Sequence, residues 1–230
     1  MQIERIKKLE DIIRESEFEI KESNYYKIRN WILNNVPDYI DSYDDSISSG
    51  QYESKKWLLD ELKSVKSYLS ENAIMDWNQP THVEVIGGWF GYPIIEMIQT
   101  IIDIKQIDFY EIDETCKKVL AQYVNHFEPE FKVAVFDDYF QREEIRRRQV
   151  IINTSSEHME DIVKMKKYYK NYPQFPILAI QSNNYRELRE HINCVSSVDE
   201  LIEKNKINKI YFSGSIELPL YTRYMVIGQW

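Results

Sequence analysis

Residues 83–91 read Val83-Glu84-Val85-Ile86-Gly87-Gly88-Trp89-Phe90-Gly91, and this stretch decides the fold. The chain has six glycines, and three of them stand in the last five of these positions, after a β-branched run and before the apolar segment 92–102. The pattern predicts a strand, a glycine turn and a helix start. Glycine lets backbone N–H groups turn toward a ligand with no Cβ in the way, and a helix N-terminus adds a positive dipole end. Such a turn suits a nucleotide-like or nucleoside-like cofactor, with Gly87, Gly88 and Gly91 as its candidate cradle. Trp89 and Phe90 stand where dinucleotide fingerprints carry small residues. The same turn therefore also reads as a tight strand-to-helix connection with no ligand.

Downstream of this turn the chain alternates strand and helix, the signature of a parallel sheet with crossover helices. Strands are predicted over 82–86, 107–111, 131–135, 149–153 and 175–181, with helices near 92–102, 114–126, 142–147, 158–169 and 198–204. Two further strand-like runs, 209–217 and 221–229, are joined only by Leu218-Pro219-Leu220. They must pair antiparallel, because a parallel return needs a crossover of about a dozen residues. Upstream, Ile6, Leu9, Ile13, Ile20, Ile28 and Trp31-Ile32 recur at helical spacing as far as Asn35, Pro37 ends that pattern, and 38–50 reads as a loop. A second helix is predicted over 52–69, with Trp57-Leu58, Leu62, Val65 and Tyr68-Leu69 on one face. The expected organisation is a helical annex over 1–78, serving as a cap or interface, and an α/β domain over 79–230.

At 43% hydrophobic and 29% charged residues, the 230-residue chain has the composition of a soluble globular protein. Its formal net charge of −9 offers no field for a phosphate backbone, which argues against nucleic acid as the default partner. Arg146-Arg147-Arg148 reads as a solvated helix end. Two cysteines, Cys116 and Cys194, are too few for a zinc motif or a disulfide framework, so no metal is expected. With no signal peptide and no long apolar run the expected location is cytoplasmic, with no membrane partner. The 17 tyrosines read mostly as half-buried core.

Five parallel strands finished by a terminal hairpin resemble the Rossmann-like class I S-adenosylmethionine-dependent methyltransferase fold, whose seventh strand inserts antiparallel beside the fifth. The resemblance covers residues 81–230 and implies S-adenosylmethionine as cofactor. In open α/β sheets ligands bind beyond the carboxyl ends of the strands. The second strand runs into Glu111, 20 residues after Gly91, and an ionised carboxylate can accept two ribose hydroxyls. The resemblance implies that role for Glu111, with Asp113 beside it, although Asp113 and Glu114 also suit a helix N-terminus. After the third strand, Asp137 and Asp138 are candidates to read the adenine amino group, against a plain turn. Val85 stands where the family's glycine motif has its acid, and Glu84 is expected on the other face of the sheet. Ile86-Gly87-Gly88 with Glu111-Ile112-Asp113 is also similar to the spermidine synthase branch, but Thr154 stands where that branch has its catalytic aspartate.

The fourth strand empties into Asn153-Thr154-Ser155-Ser156-Glu157-His158-Met159. Helix capping accounts for the hydroxyls and Glu157; Asn153, Glu157 and His158 are the catalytic candidates, His158 as a general base. This string resembles that of phage-borne methyltransferase-like proteins. It departs from the Asn/Asp-Pro-Pro-Tyr motif of amino-methylating DNA enzymes, against a nucleobase target. The fifth strand ends in Gln181-Ser182-Asn183-Asn184-Tyr185, with His191 and Asn193 soon after. Gln181, Asn183 and Tyr185 are substrate-binding candidates, joined by Ser54 and Lys55 at the start of the annex helix, which reads as a lid or as a homo-oligomer interface. The resemblance implies methyl transfer to a small polar molecule or a protein side chain. Two alternatives stay open: aminopropyl or aminocarboxypropyl transfer or cleavage of the cofactor, and a non-catalytic cofactor-binding or partner-binding module.

Overall fold

The computed structural model describes residues 11, 13, 18, 20–75, 77, 79–141, 150–169 and 175–230. One seven-stranded sheet organises them: β1 (Thr81–Ile86), β2 (Ile104–Tyr110), β3 (Lys132–Phe136), β4 (Val150–Asn153), β5 (Ile177–Asn183), β6 (Lys209–Glu217) and β7 (Thr222–Gln229), in the order β3-β2-β1-β4-β5-β7-β6. The first five run parallel, and the strand order reverses between β1 and β4, whose register pairs Ile86 with Asn153. As the short connection 218–221 requires, β7 lies antiparallel to β6, and it inserts antiparallel beside β5 as well. That register sets Arg223 opposite Asn183.

Alternation along the strands divides the core in two. Val83, Val85, Ile107, Phe109, Ile177, Ala179, Met225 and Ile227 face one layer, made by α1 (Glu22–Asn35), α2 (Ile40–Asp45), α3 (Ser49–Glu71), α4 (Ile94–Gln99) and α5 (Glu114–Phe127). Ile86, Ile151, Leu178, Ile180 and Val226 face the other, which holds α6 (Val198–Asn205) and the 3-10 segment Ile162–Tyr169. Glu84 lies on this second face, as expected, with the Tyr169 hydroxyl 3.4 Å from its Oε2. The annex helices share one continuous apolar core with the sheet. A fully buried Glu96 on α4 ties them further: it accepts hydrogen bonds from Lys21 N (2.5 Å), Asn24 Nδ2 (2.8 Å) and Tyr123 Oη (2.9 Å), reaching α1 and α5 together. Desolvation raises the pKa of Glu96, and these three donors oppose the rise.

Three expectations need correction. The helix after the glycine turn spans only six residues, because Pro93 precedes it and Thr100 Oγ1 turns back to the Met97 carbonyl at its end; it is too short to supply a helix dipole of consequence. The segment expected as a loop over 38–50 contains a 3-10 turn at Pro37–Tyr39 and α2, whose Tyr43 is fully buried. Proline at a first helical position is preorganised for that start. The helix expected over 158–169 is two 3-10 pieces, Ser156–His158 and Ile162–Tyr169. Side chains from elsewhere take the backbone groups that an α-helix would use: Asn193 Nδ2 donates to the Met159 carbonyl (2.9 Å), and Ile162 N donates to Asn205 Oδ1 (3.0 Å). The helix expected over 142–147, the arginine cluster and most of the helical pattern before residue 20 lie outside the described residues. Among the described residues no helix is long and apolar enough to cross a membrane.

Candidate functional site

At the carboxyl end of β1, Gly87 and Gly91 take φ of +63° and +75°, in the left-handed region where a Cβ is strained. Gly88 is required for a different reason: a Cβ there would lie 2.3 Å from Cε1 of Phe109 on β2. A Cβ on Gly91 would meet Leu120 of α5 at 2.4 Å. Packing against β2 and α5 therefore explains these two glycines before any ligand is invoked. The aromatic residues of the turn are explained too. Phe90 is fully buried, edge-on to Tyr43 of α2 with centroids 5.4 Å apart and stacked on Trp89 at 5.3 Å. The bulky turn is where the annex docks.

Trp89 itself has a φ of 56°, uncommon for a residue with a Cβ. Its N–H donates to Glu111 Oε2 at 3.1 Å, while Glu111 Oε1 accepts from Asp113 N at 3.0 Å. The ends of β1 and β2 are thus stitched through one half-buried carboxylate. Desolvation raises the Glu111 pKa against these N–H bonds. Each oxygen keeps acceptor capacity for a further donor. Next to it Ile112 is 76% exposed, an apolar surface at the rim. Asp113 is committed elsewhere: it caps α5 through Thr115 N (2.7 Å) and Cys116 N (2.9 Å) and accepts from Tyr39 Oη (2.9 Å). Desolvation works to raise its pKa, but these bonds hold it below the ordinary value. Asp137 is largely exposed and ion-paired with Lys117, and Asp138 Oδ1 accepts from Phe140 N at 2.8 Å.

Across the switch point the string 153–159 closes into a tight knot. Asn153 Oδ1 accepts from Ser155 N (3.0 Å) and its Nδ2 points to Met159 Sδ (3.2 Å). Ser155 Oγ donates to the Gly87 carbonyl (2.9 Å) and Ser156 Oγ to the Gln181 carbonyl (2.7 Å), tying this knot to the ends of β1 and β5. Glu157 is turned inward. Its Oε1 accepts from Asn183 Nδ2 (2.7 Å) and from Arg223 Nη1 (3.0 Å). Arg223 Nη1 also reaches the Thr154 carbonyl at 3.2 Å. Burial works against the Arg223 charge, and Glu157 together with Tyr221 outweighs it, so the guanidinium pKa is raised. Asn183 Oδ1 accepts from Tyr185 N (2.9 Å).

The annex reaches this end through α3. Ser54 Oγ donates to Gln181 Oε1 (3.0 Å), and Gln181 Nε2 donates back to the Ser54 carbonyl (2.9 Å), so the fully buried Gln181 is a strap to the annex. Lys55 is buried beside it, with Nζ on Gln51 Oε1 at 2.9 Å. Burial first, then the Arg223 charge, push its pKa down to about 7, against the pull of Asp45. His158 presents an exposed ring to the His191 imidazole, centroids 4.5 Å apart. Desolvation lowers its pKa, the attraction of Glu157 opposing and His191 reinforcing the shift.

The structure therefore brings Gly87, Gly88, Trp89 and Glu111 together at one side of the switch point, and Glu157, Asn183 and Arg223 at the other. Ser54 pairs with Gln181, Asp113 caps α5 and meets Tyr39, and Asp138 accepts from the Phe140 N–H in its own turn. Arg223 was missed from sequence. It stands at the head of the apolar run Tyr224-Met225-Val226-Ile227, where the one available signal was a charge in an otherwise buried strand.

No protein-family model and no curated protein sequence matches the chain. Solved structures do resemble it in fold. A protein proposed to be a sarcosine dimethylglycine methyltransferase from Galdieria sulphuraria is 11% identical, with a TM-score of 0.50 over 73% of this chain and 85% of that one. The YcgJ protein from Bacillus subtilis is 7% identical, with a TM-score of 0.50 over 72% of this chain and 97% of that one. A SAM dependent methyltransferase from Aquifex aeolicus is 17% identical over 73% of this chain and 90% of that one, with a TM-score of 0.47. Strand order and the first two of these likenesses show that the chain has the Rossmann-like fold of class I methyltransferases.

Proposed function

We propose that this protein is a transferase that binds S-adenosylmethionine across Gly87, Gly88 and Glu111 and transfers its methyl group to a small polar molecule or a protein side chain. The observation that carries the reading is the stitch between Trp89 N–H and Glu111 Oε2, which sets a carboxylate with spare acceptor capacity at the ends of β1 and β2, beside the switch point. The residues present fit the cofactor: Glu111 accepts ribose hydroxyls, and the exposed Ile112 offers an apolar face to a base. The cofactor supplies an activated methyl group on a sulfonium, a leaving group that needs little acid–base help.

This chain's own residues then chiefly position the partners, which for a two-substrate reaction is the larger part of the rate. Asn183, Arg223 and Glu157 form a preorganised polar wall at the acceptor side. With no ion bound beside it, His158, whose pKa burial lowers, is placed to accept a proton from an acceptor that carries one. The burial of Phe90 in the annex gives the bulky turn a packing role, which removes it as support for a decayed, non-catalytic site.

Incubating the protein with S-adenosylmethionine and a fractionated cell extract tests the reading by mass spectrometry of the nucleoside product. Protein-dependent S-adenosylhomocysteine is the expected outcome. Methylthioadenosine in its place would move the assignment to transfer of the other cofactor arms or to cleavage, and neither product from any fraction would contradict a transferase.

A further inference from the structure

Glu157, His158 and His191 gather three potential ligand atoms, one from each, all within 4.8 Å of one another. The two imidazoles meet at right angles, 88° between planes. His191 Nδ1 lies 2.5 Å from the Tyr185 carbonyl oxygen. A carbonyl only accepts, so Nδ1 carries the hydrogen, and Nε2 is the nitrogen whose lone pair the neutral ring offers to an ion. A histidine oriented by a carbonyl in this way is the usual support of a metal-binding imidazole. On the carboxylate, Oε1 is taken by Asn183 and Arg223, whereas the buried Oε2 has no hydrogen-bond partner among the described residues. The side chain is 3% exposed, so water does not readily serve that oxygen. The segment carrying His191 is held against Glu157 by Asn193 N, which donates to the Glu157 carbonyl at 2.9 Å. His158 is exposed, which leaves a path for an ion.

We propose that Glu157, His158 and His191 form a binding site for one divalent transition-metal ion of the zinc type, with Glu157 Oε2 as the oxygen ligand. Two imidazoles and one carboxylate select zinc, cobalt or nickel over magnesium and calcium, which prefer all-oxygen shells. Three protein ligands leave a coordination position open to water or to an oxygen or nitrogen atom of an acceptor. The site lies beside Asn183 and Arg223, at the acceptor end of the sheet.

The test uses untagged full-length protein stripped with a chelator. Zinc is titrated in competition with a chromophoric chelator, and cobalt is titrated by its visible absorption. The expected result is one ion per chain, with affinity lowered at least about tenfold by His158→Ala and by His191→Ala, while magnesium does not compete. His82→Ala and His126→Ala serve as controls for surface binding and leave the affinity unchanged. Circular dichroism confirms that each variant is folded; because His158 is exposed, His158→Ala keeps the test decisive if His191→Ala unfolds. Absence of stoichiometric binding, or binding indifferent to both substitutions in folded protein, overturns the proposal. No S-adenosylmethionine is needed, so failure here leaves the methyl-transfer reading standing, and the converse holds.

Discussion

Arg223 Nη1 lies 3.0 Å from Glu157 Oε1, with both side chains 3% exposed, an ion pair closed off from water between the head of β7 and the loop after β4. Removing one partner strands a buried charge, which costs about 3–5 kcal/mol, whereas replacing both with apolar groups is often near neutral. Arg223→Met is therefore expected to destabilise by that amount in urea unfolding. Arg223→Met combined with Glu157→Leu should recover a large part of it. A double variant whose loss equals the sum of the two single losses would contradict a coupled pair.

Gly88 is held to glycine by the Phe109 ring, 2.3 Å from where its Cβ would stand. Gly88→Ala should cost about 1–3 kcal/mol through overpacking. Shortening the neighbour in Gly88→Ala with Phe109→Leu should return part of that stability. If the double variant loses as much as the two single variants added together, the contact with Phe109 is not what excludes alanine.

Phe90 anchors the annex to the glycine turn through Tyr43. Phe90→Ala should cost about 3–5 kcal/mol, as for a buried aromatic, and Phe90→Leu clearly less. Thermal unfolding of the two variants checks the order, and equal losses would contradict a packing role.

Lys55 makes stability depend on pH in a direction that can be worked out. Its folded pKa, pushed down to about 7, lies below the ordinary 10.5, so between these values the unfolded chain binds more protons and stability rises with pH. Burying this amine costs about 4 kcal/mol near pH 7, and the cost vanishes near the unfolded pKa. Lys55→Met should therefore gain stability relative to the parent most at pH 7, with the difference shrinking toward pH 10. Subtracting the two proteins cancels the buried tyrosines that also titrate there. A difference that does not change with pH would mean that Lys55 is not buried as an amine beside Arg223.

How much of this was legible in the sequence depended on range. All seven strands were found, because β-branched runs such as Val150-Ile151-Ile152 empty into turn formers, here Asn153-Thr154-Ser155, and the hairpin followed from the short connection read at Leu218-Pro219-Leu220. The position of Glu111 at the end of β2, beside the glycine turn, was legible because it follows from the spacing after that turn. Arg223 and Glu157 were not, since their meeting depends on the β5–β7 register and on a loop 66 residues away. The same holds for Ser54 and Gln181, 127 residues apart, whose contact straps the helix read from sequence as a lid or an interface to the end of β5. The α-helix expected over 158–169 failed because periodicity carries no information about Asn193 and Asn205, which take over the backbone groups there.

Calorimetric titration with S-adenosylhomocysteine, on the parent protein and on Glu111→Ala, addresses the cofactor assignment most directly. Saturable one-to-one binding is expected for the parent. Loss of two charge-assisted hydrogen bonds in Glu111→Ala, partly rescued by water, should weaken it by about 2–4 kcal/mol, roughly 30-fold to 1,000-fold. No binding to the folded parent, or the same affinity in the variant, would contradict a cofactor held by Glu111.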